Sequence, residues 1–322
     1  MAEKPLVTIA MAVYKPNEAW FIKQLQSVDN QDYRPLKLLI WNDSPLDFQA
    51  EGIVAEHVKN IPFEIIDNGH NNGVTKAFEE LTRHAEGKYI AYSDQDDIWM
   101  TDKVSIMADF MEAHPRCTCV HSDVALIDEE NNVIRKSIYP EKLAMLNTRQ
   151  YQEKAFLVRN WNVGCAMMMT TEAAKAAIPF PTMVYHDQWL EMYALALGDF
   201  CYVSECLIKH RVHGANNSQT LHGIESKKDY YRVKLQREID FFDFLVEHLP
   251  CKDRYQKENA WIKARERYSR QHSVSNFLGL LKYMNARPAL TLFELLLPFI
   301  PEAVFSGLVK MIRKEVRVLG YR

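Results

Sequence analysis

The sequence predicts an α/β fold, a mostly parallel central sheet flanked by helices, followed by a helical extension. Apolar, β-compatible runs alternate with stretches of helical spacing through the first hundred residues, the rhythm of βα units. Turn formers and clustered acids stand where those runs end, which is where open parallel sheets place their ligands. From about residue 224 the strand pattern gives way to long helical faces.

Taken in order, residues 6–13 form an apolar run that stops at Lys15-Pro16-Asn17, and Phe21, Leu25 and Val28 then recur at helical spacing. Residues 36–41 are a second strand-like run, ending at Asn42-Asp43-Ser44-Pro45, and residues 63–66 a third. After Asn71-Asn72-Gly73, the side chains of Val74, Ala77, Phe78, Leu81 and Ala85 line one helical face. Residues 88–92 are a fourth run that meets a cluster of acids. Val104, Met107, Ala108 and Met111 mark the next helix, before strand-like runs at 117–121 and 163–169. Trp189, Leu190, Tyr193, Ala194 and Leu197 form an apolar stripe after His186-Asp187, and residues 200–208 lead as a strand into Arg211-Val212-His213-Gly214. Leu235, Ile239, Phe242, Leu245 and Leu249 open the helical extension.

Bulk properties narrow the classes. A chain of 322 residues that is 48% apolar and 25% charged has ordinary globular composition. A net charge of −3 argues against a nucleic-acid partner, which calls for a strongly positive balance. The six cysteines contain no Cys-x-x-Cys pair, so a zinc site is not expected and reduced thiols of a cytoplasmic protein are. The start Met-Ala-Glu-Lys-Pro lacks the features of a signal peptide. Residues 288–309 come nearest to the roughly 18 uninterrupted apolar residues a span requires, but Glu294, Glu302 and three prolines break them.

The string Ser93-Asp94-Gln95-Asp96-Asp97-Ile98-Trp99 closes the fourth run. Carboxylates this close repel one another unless water or a cation screens them. At a strand end they offer hard oxygen ligands suited to Mn²⁺ or Mg²⁺, with diphosphate oxygens completing the shell. The bland alternative is a solvated acidic turn or a helix N-terminus. An EF-hand loop does not fit, since Ile98, Trp99 and Met100 stand where glycine and glutamate are needed.

Several segments, in order, resemble the family 2 glycosyltransferases. They are Val7-Thr8-Ile9-Ala10-Met11-Ala12-Val13-Tyr14, then Gln24-Leu25-Gln26-Ser27-Val28 with Gln31, the turn Trp41-Asn42-Asp43-Ser44, the segment Asn71-Asn72-Gly73-Val74-Thr75-Lys76-Ala77, and the acid string. The resemblance implies a GT-A fold, a nucleotide-binding sheet merged with an acceptor-binding half. It implies Asp43 as the acid that accepts from the nucleobase N–H, Asp96 as the metal-contacting acid and Asp94 as the acid nearer the ribose and sugar. Lys76 stands where the family often has a cation facing the diphosphate or donor sugar. Asn42 departs from the family's usual acid and leaves Asp43 intact.

Inverting sugar transfer needs a base to take the acceptor hydroxyl's proton. Tyr185-His186-Asp187-Gln188-Trp189 offers an acid at a helix start, beside aromatics able to stack on a sugar. It resembles the His-Asp-x-Trp motif of the family's rhamnosyltransferase-like branch, which implies Asp187 as the catalytic base. A helix N-cap is the plain alternative and is compatible with that role. His210-Arg211-Val212-His213-Gly214-Ala215-Asn216 resembles the branch's Tyr-Arg-x-His-Gly-x-Asn segment. That likeness points His213 at the metal or diphosphate and Arg211 at a phosphate, while His210 replaces a tyrosine and is given no role. His121-Ser122-Asp123 also resembles the branch, and Asp123 and Trp189 are candidates for contact with the acceptor.

At the end, Lys310, Arg313, Lys314, Arg317 and Arg322 face one acid, Glu315, after the apolar residues Leu292, Phe293, Leu295, Leu296, Leu297, Phe299 and Ile300. Such a combination suits peripheral attachment to the inner face of a membrane. Packing on the catalytic part or in a homo-oligomer is the other outlet. The expectation is therefore a catalytic domain over residues 1–222 and a helical region over 223–322. It is an inverting, metal-dependent glycosyltransferase moving a sugar from a nucleotide-diphosphate donor to a lipid-linked or growing polysaccharide acceptor. The branch resemblance implies dTDP-L-rhamnose. A UDP-hexose or UDP-hexosamine remains open, because no residue named here reads the sugar. A catalytically inactive assembly partner is the second class, opposed by the presence of both the metal acids and Asp187. A nucleotidyltransferase would need a glycine-rich loop, and residues 11–17 contain no glycine.

Overall fold

The computed structural model describes residues 3–139, 152, 162–214, 223–285 and 287–313, and the backbone of 314–319. Two compact units emerge, residues 1–213 and 214–322.

The first unit is built on strands β1 (Val7–Val13), β2 (Leu36–Asn42), β3 (Phe63–Asp67), β4 (Tyr89–Ser93), β5 (Ile98–Trp99), β6 (Cys117–Ile127), β7 (Val133–Arg135), β8 (Met167–Thr170) and β9 (Asp199–Arg211). They form one sheet in the order β3-β2-β1-β4-β8-β6-β9-β5, with β7 on β6. β1 to β4 are parallel. β8 runs antiparallel to both β4 and β6, and β9 runs parallel to β6. The C-terminal ends of β1, β2, β4, β6 and β9 therefore share one edge. That edge carries the site.

Helices α1 (Glu18–Asp29), α2 (Ala50–His57), α3 (Val74–His84), α4 (Lys103–Ala113), α5 (Thr171–Ala176) and α6 (His186–Leu197) accompany the sheet. β1, β2 and β4 are almost wholly buried, which is why they read as continuous apolar runs rather than alternating ones. Asn17 caps α1 by accepting from the Trp20 amide at 3.3 Å, and Thr170 caps α5 through the Ala173 amide at 3.4 Å.

The structure departs from the sequence pattern in several places. α2 escapes it because only Ala50 and Val54 are buried, too few to set a helical period. β6 does not stop at His121. It continues to Ile127 with His121, Ser122 and Asp123 buried and paired to β9, so polarity there marks a buried polar layer and not a strand end. The run at 163–169 opens as a 3₁₀ turn, Gly164–Ala166, and becomes strand only at Met167.

The second unit is helical: a short turn Lys227–Asp229, a π-helical turn Tyr230–Leu235, α7 (Gln236–His248), α8 (Gln256–Arg270), α9 (Val274–Leu281), α10 (Pro288–Leu296) and α11 (Glu302–Leu319). Ile224, Tyr230, Leu297, Phe305 and Val309 form an apolar cluster. Arg265, fully buried, is held by Glu238 at 2.5 Å and Glu294 at 2.6 Å; two carboxylates around one guanidinium satisfy a charge that would otherwise be prohibitive inside a protein. Among the described residues no helix is long and apolar enough to cross a membrane. Arg322 and the side chains of Lys314 and Arg317 lie outside the described residues.

Candidate active site

The acid string lies directly beyond β4. Gln95, between its two spaced acids, receives the Tyr14 amide at 2.7 Å and donates to the Tyr14 carbonyl at 3.1 Å. This double bond to the end of β1 fixes the turn. Asp43 sits one residue past β2, its amide on the Val13 carbonyl at 2.8 Å. Its carboxylate accepts from the Asn72 amide at 2.8 Å and the Gly73 amide at 2.9 Å, anchoring the loop that opens α3. Gly73 has φ +80°, a backbone that glycine adopts without strain. Asp43 and the acid string therefore meet across the ends of β1, β2 and β4.

Asp96 points toward β9. Its Oδ2 lies 2.8 Å from His213 Nε2, and both side chains keep a solvent-facing edge, 15% and 11% exposed. Neighbouring ligands on an octahedral cation with bonds of about 2.1 Å stand about 3 Å apart. The pair is a hydrogen bond of ordinary length, and the same two side chains could take adjacent positions on a divalent cation. Trp20 packs on His213 with ring centroids 4.9 Å apart, which fixes the imidazole.

Beneath them is a layer that the sequence did not assign. Asp97, wholly buried, accepts from His210 Nδ1 and from the Arg211 amide, each at 2.9 Å. Burial works against its ionisation, but the charge and hydrogen bond of His210 outweigh that and hold the carboxyl at about 2. Cys165 Sγ stands 3.8 Å from His210 Nδ1. Donor atoms of Asp94, Asp97, Cys165 and His210 all lie within 4.8 Å of one another. Burial pushes the Cys165 thiol well up, and a soft sulfur is a poor match for Mg²⁺ or Mn²⁺, which prefer oxygen ligands. Lys103, also buried, donates to the Cys165 carbonyl at 2.6 Å and lies 3.4 Å over the Trp99 ring. Burial lowers its ammonium to about 7 against the opposing pull of Cys165, Asp97 and Asp94. This buried cluster lies below the Asp96–His213 pair, whose side chains keep some exposure.

Asp187 lies in the first turn of α6, buried, with its Oδ1 accepting from the Gln188 amide at 2.8 Å. A Cβ on Gly164 would stand 3.0 Å from His186 Nε2 and 3.1 Å from the Asp187 Cβ. The 164–166 turn thus lies against Asp187 on one side and, through Cys165, against His210 and Asp97 on the other. One turn further along α6, Glu191 is completely buried, with the Asn162 side chain beside it. Burial, then the nearby Asp187, raises it far above the usual carboxyl range.

Other candidates find different partners. Trp189 is corrected: it is 0% exposed, and its indole N–H donates to the Ala177 carbonyl at 2.7 Å, so it has no face to offer an acceptor. Arg211 is also 0% exposed. Its guanidinium donates to the carbonyls of Asp96 and Asp128 at 2.9 Å, to that of Glu129 at 3.2 Å and to Asn131 Oδ1 at 2.8 Å. These bonds occupy the fork expected to meet a phosphate. Lys76 is paired with Glu79 and, at 2.9 Å, with Glu80; its hydrogen bond to the Glu79 carboxylate leads in raising its ammonium. Asp123 accepts from the amides of Val124 at 2.7 Å and Ile138 at 3.2 Å, tying β6 to the segment after β7.

Asp97 was visible as part of the acid string and His210 as the neighbour of Arg211. A lysine at a helix start, such as Lys103, carries no sign in sequence that it will be buried.

Known proteins resemble this chain in both sequence and fold. An uncharacterised glycosyltransferase of Methanocaldococcus jannaschii is 27% identical over 238 residues, 72% of this chain and 79% of the relative. The Escherichia coli UDP-Glc:alpha-D-GlcNAc-diphosphoundecaprenol beta-1,3-glucosyltransferase WfgD is 23% identical over 58% of this chain and 68% of its own length. Among solved structures, Staphylococcus aureus TarS 1-349 with UDP-GlcNAc superimposes with a TM-score of 0.57 at 16% identity, covering 90% of this chain and 81% of that one. The Pyrobaculum calidifontis mannosyltransferase PcManGT, with GDP-Man and Mn²⁺, gives 0.53 at 16% identity, over 89% and 75%. The fold is GT-A. With the glycosyl transferase family 2 model matching residues 8–176, the chain belongs to that family.

Proposed function

We propose that this protein is an inverting, divalent-metal-dependent glycosyltransferase. It takes a sugar from a nucleoside diphosphate and delivers it to a hydroxyl of a lipid-linked or growing cell-surface polysaccharide. The observation that carries the proposal is the 2.8 Å approach of Asp96 to His213 at the sheet edge that also bears Asp43. Asp43 accepts the nucleobase N–H in exchange for one of the donors its carboxylate now accepts from, Trp41, Asn68, Asn72 and Gly73. Asp94 faces the ribose and sugar. Asp96 and His213 would hold Mn²⁺ or Mg²⁺, and that ion would supply positive charge to offset the departing diphosphate. Asp187 takes the proton of the attacking hydroxyl, with Glu191, pushed far up by burial, behind it. Arg211 acts as a positioning residue, holding the acid turn and the 128–131 loop. Asp123 supports the acceptor side through the backbone.

The catalytic role falls to residues 1–222. In residues 223–322, Phe299 is 76% exposed, and Val304, Leu308, Met311 and Ile312 of α11 are also exposed beside Lys310 and Arg313. This supports peripheral contact with an anionic membrane at its inner face; a homo-oligomer is the competing use of the same surface. For the donor, the branch resemblance favours dTDP-L-rhamnose, while relatives named for UDP-glucose and crystallised with UDP-GlcNAc favour a UDP-hexose or hexosamine. Purified protein with Mn²⁺ and a panel of nucleotide sugars separates these: one donor is expected to be consumed, and chelation of the metal to stop it. Indifference to every donor, with or without metal, would overturn the assignment.

A further inference from the structure

The helical unit contains a groove of about 640 Å³ lined by Lys228, Tyr231, Arg232, Leu235, Ile239 and Arg270, with Gln236, Glu266, Ser269 and His272 completing the wall. We propose that this groove binds the phosphate headgroup of a membrane lipid. Lys228, Arg232 and Arg270 put three fixed positive charges on the wall, against the single carboxylate of Glu266. Arg232 reaches Asp229 at 3.2 Å and Arg270 reaches Glu266 at 2.7 Å, but both arginines are more than 70% exposed in these pairs. Such surface pairs hold their partners weakly and release them to a doubly charged phosphate, which a guanidinium grips with two parallel bonds.

Two further features separate the groove from an ordinary basic surface. Tyr231, Arg232 and Leu235 belong to the π-helical turn Tyr230–Leu235, an arrangement rare in proteins and concentrated at functional sites. The Tyr231 hydroxyl is shielded from water and has no hydrogen-bond partner among the described residues, which leaves a donor unsatisfied at the cationic wall. Leu235 and Ile239, only 2% and 4% exposed, close its floor. Directly after His272, α9 exposes Val274, Leu278 and Leu281 at 77%, 52% and 39%, apolar surface of the kind that enters the boundary between headgroups and chains.

This inference rests on the proposed use of a membrane-borne acceptor, and its test is independent of transfer. The full-length protein is sedimented with phosphatidylcholine vesicles, with and without phosphatidic acid. Binding is expected only with phosphatidic acid, with little competition from inorganic phosphate. The double variant Arg232→Ala/Arg270→Ala should weaken it about tenfold or more, since each cation near an anionic surface contributes a factor of about five. Ser269→Trp fills the groove with every charge retained and should weaken binding similarly. If Ser269→Trp binds as well as the natural protein, attraction is smeared over the surface and the site is wrong. Full competition by inorganic phosphate, or equal binding to neutral vesicles, also overturns it. Acceptor-free hydrolysis of the donor sugar, followed in the same variants, should be unchanged. Loss of hydrolysis in the natural protein would count against the enzymatic assignment and leave the lipid result standing.

Discussion

At the scale of single residues, the proposed chemistry separates side chains that would touch substrate from those that would hold them. Asp187→Asn keeps size and hydrogen bonding but cannot accept a proton. Transfer should fall by about 10²- to 10⁴-fold, with donor affinity by calorimetry and melting temperature unchanged; near-normal turnover would remove Asp187 from the chemistry. His213→Ala deletes one half of the 2.8 Å pair with Asp96. The Mn²⁺ concentration giving half-maximal rate should rise at least about tenfold, the effect expected for a lost ligand or ligand support. Trp189→Phe tests the opposite case. Removing the indole bond to the Ala177 carbonyl should cost about 1 kcal/mol of stability and leave the acceptor KM alone. A raised acceptor KM without loss of stability would return Trp189 to the binding surface.

Between elements, the decisive contact is the 164–166 turn wedged against α6. The missing side chain of Gly164 leaves space that His186 and Asp187 fill, at 3.0 and 3.1 Å from where a Cβ would stand. Gly164→Ala must push the start of α6 outward by a few tenths of an ångström. A misplaced base lowers turnover steeply, so kcat should drop about tenfold while the donor KM stays constant, because Asp43 and the acid string do not move with α6. A fall in donor affinity with kcat preserved would show that the turn serves the nucleotide and not the base.

For the whole molecule, two buried histidines set a limit on acid stability. Burial holds His121 at about 3 and His186 at about 4, against about 6.5 in an unfolded chain. Between those values the unfolded chain binds protons that the native protein excludes, so stability is full above pH 6.5 and declines as pH falls. The expected slope is about 1.4 kcal/mol per pH unit for each histidine. Thermal midpoints recorded from pH 7 down to pH 5 should fall steadily, and His186→Gln should flatten the decline by about half. A pH-independent midpoint in the natural protein would mean that neither ring is buried neutral.

The sequence by itself determined the alternating strands and helices, the edge on which polar groups gather, and the identities of Asp43, Asp94, Asp96, Asp187 and His213 as the groups to watch. Those features are local: periodicity, turn chemistry and clustered like charges show themselves within a few residues. Only the tertiary structure decided which polar groups are tools and which are supports. Arg211 and Trp189 carry the same functional groups wherever they stand, but burial and pairing across 80 or more residues in the case of Arg211, and across α5 and α6 for Trp189, remove them from contact with ligand. Lys103 and Glu191 show the converse: nothing beside them in the chain announces that packing will exclude water and shift their protonation, because desolvation is imposed by residues distant in sequence.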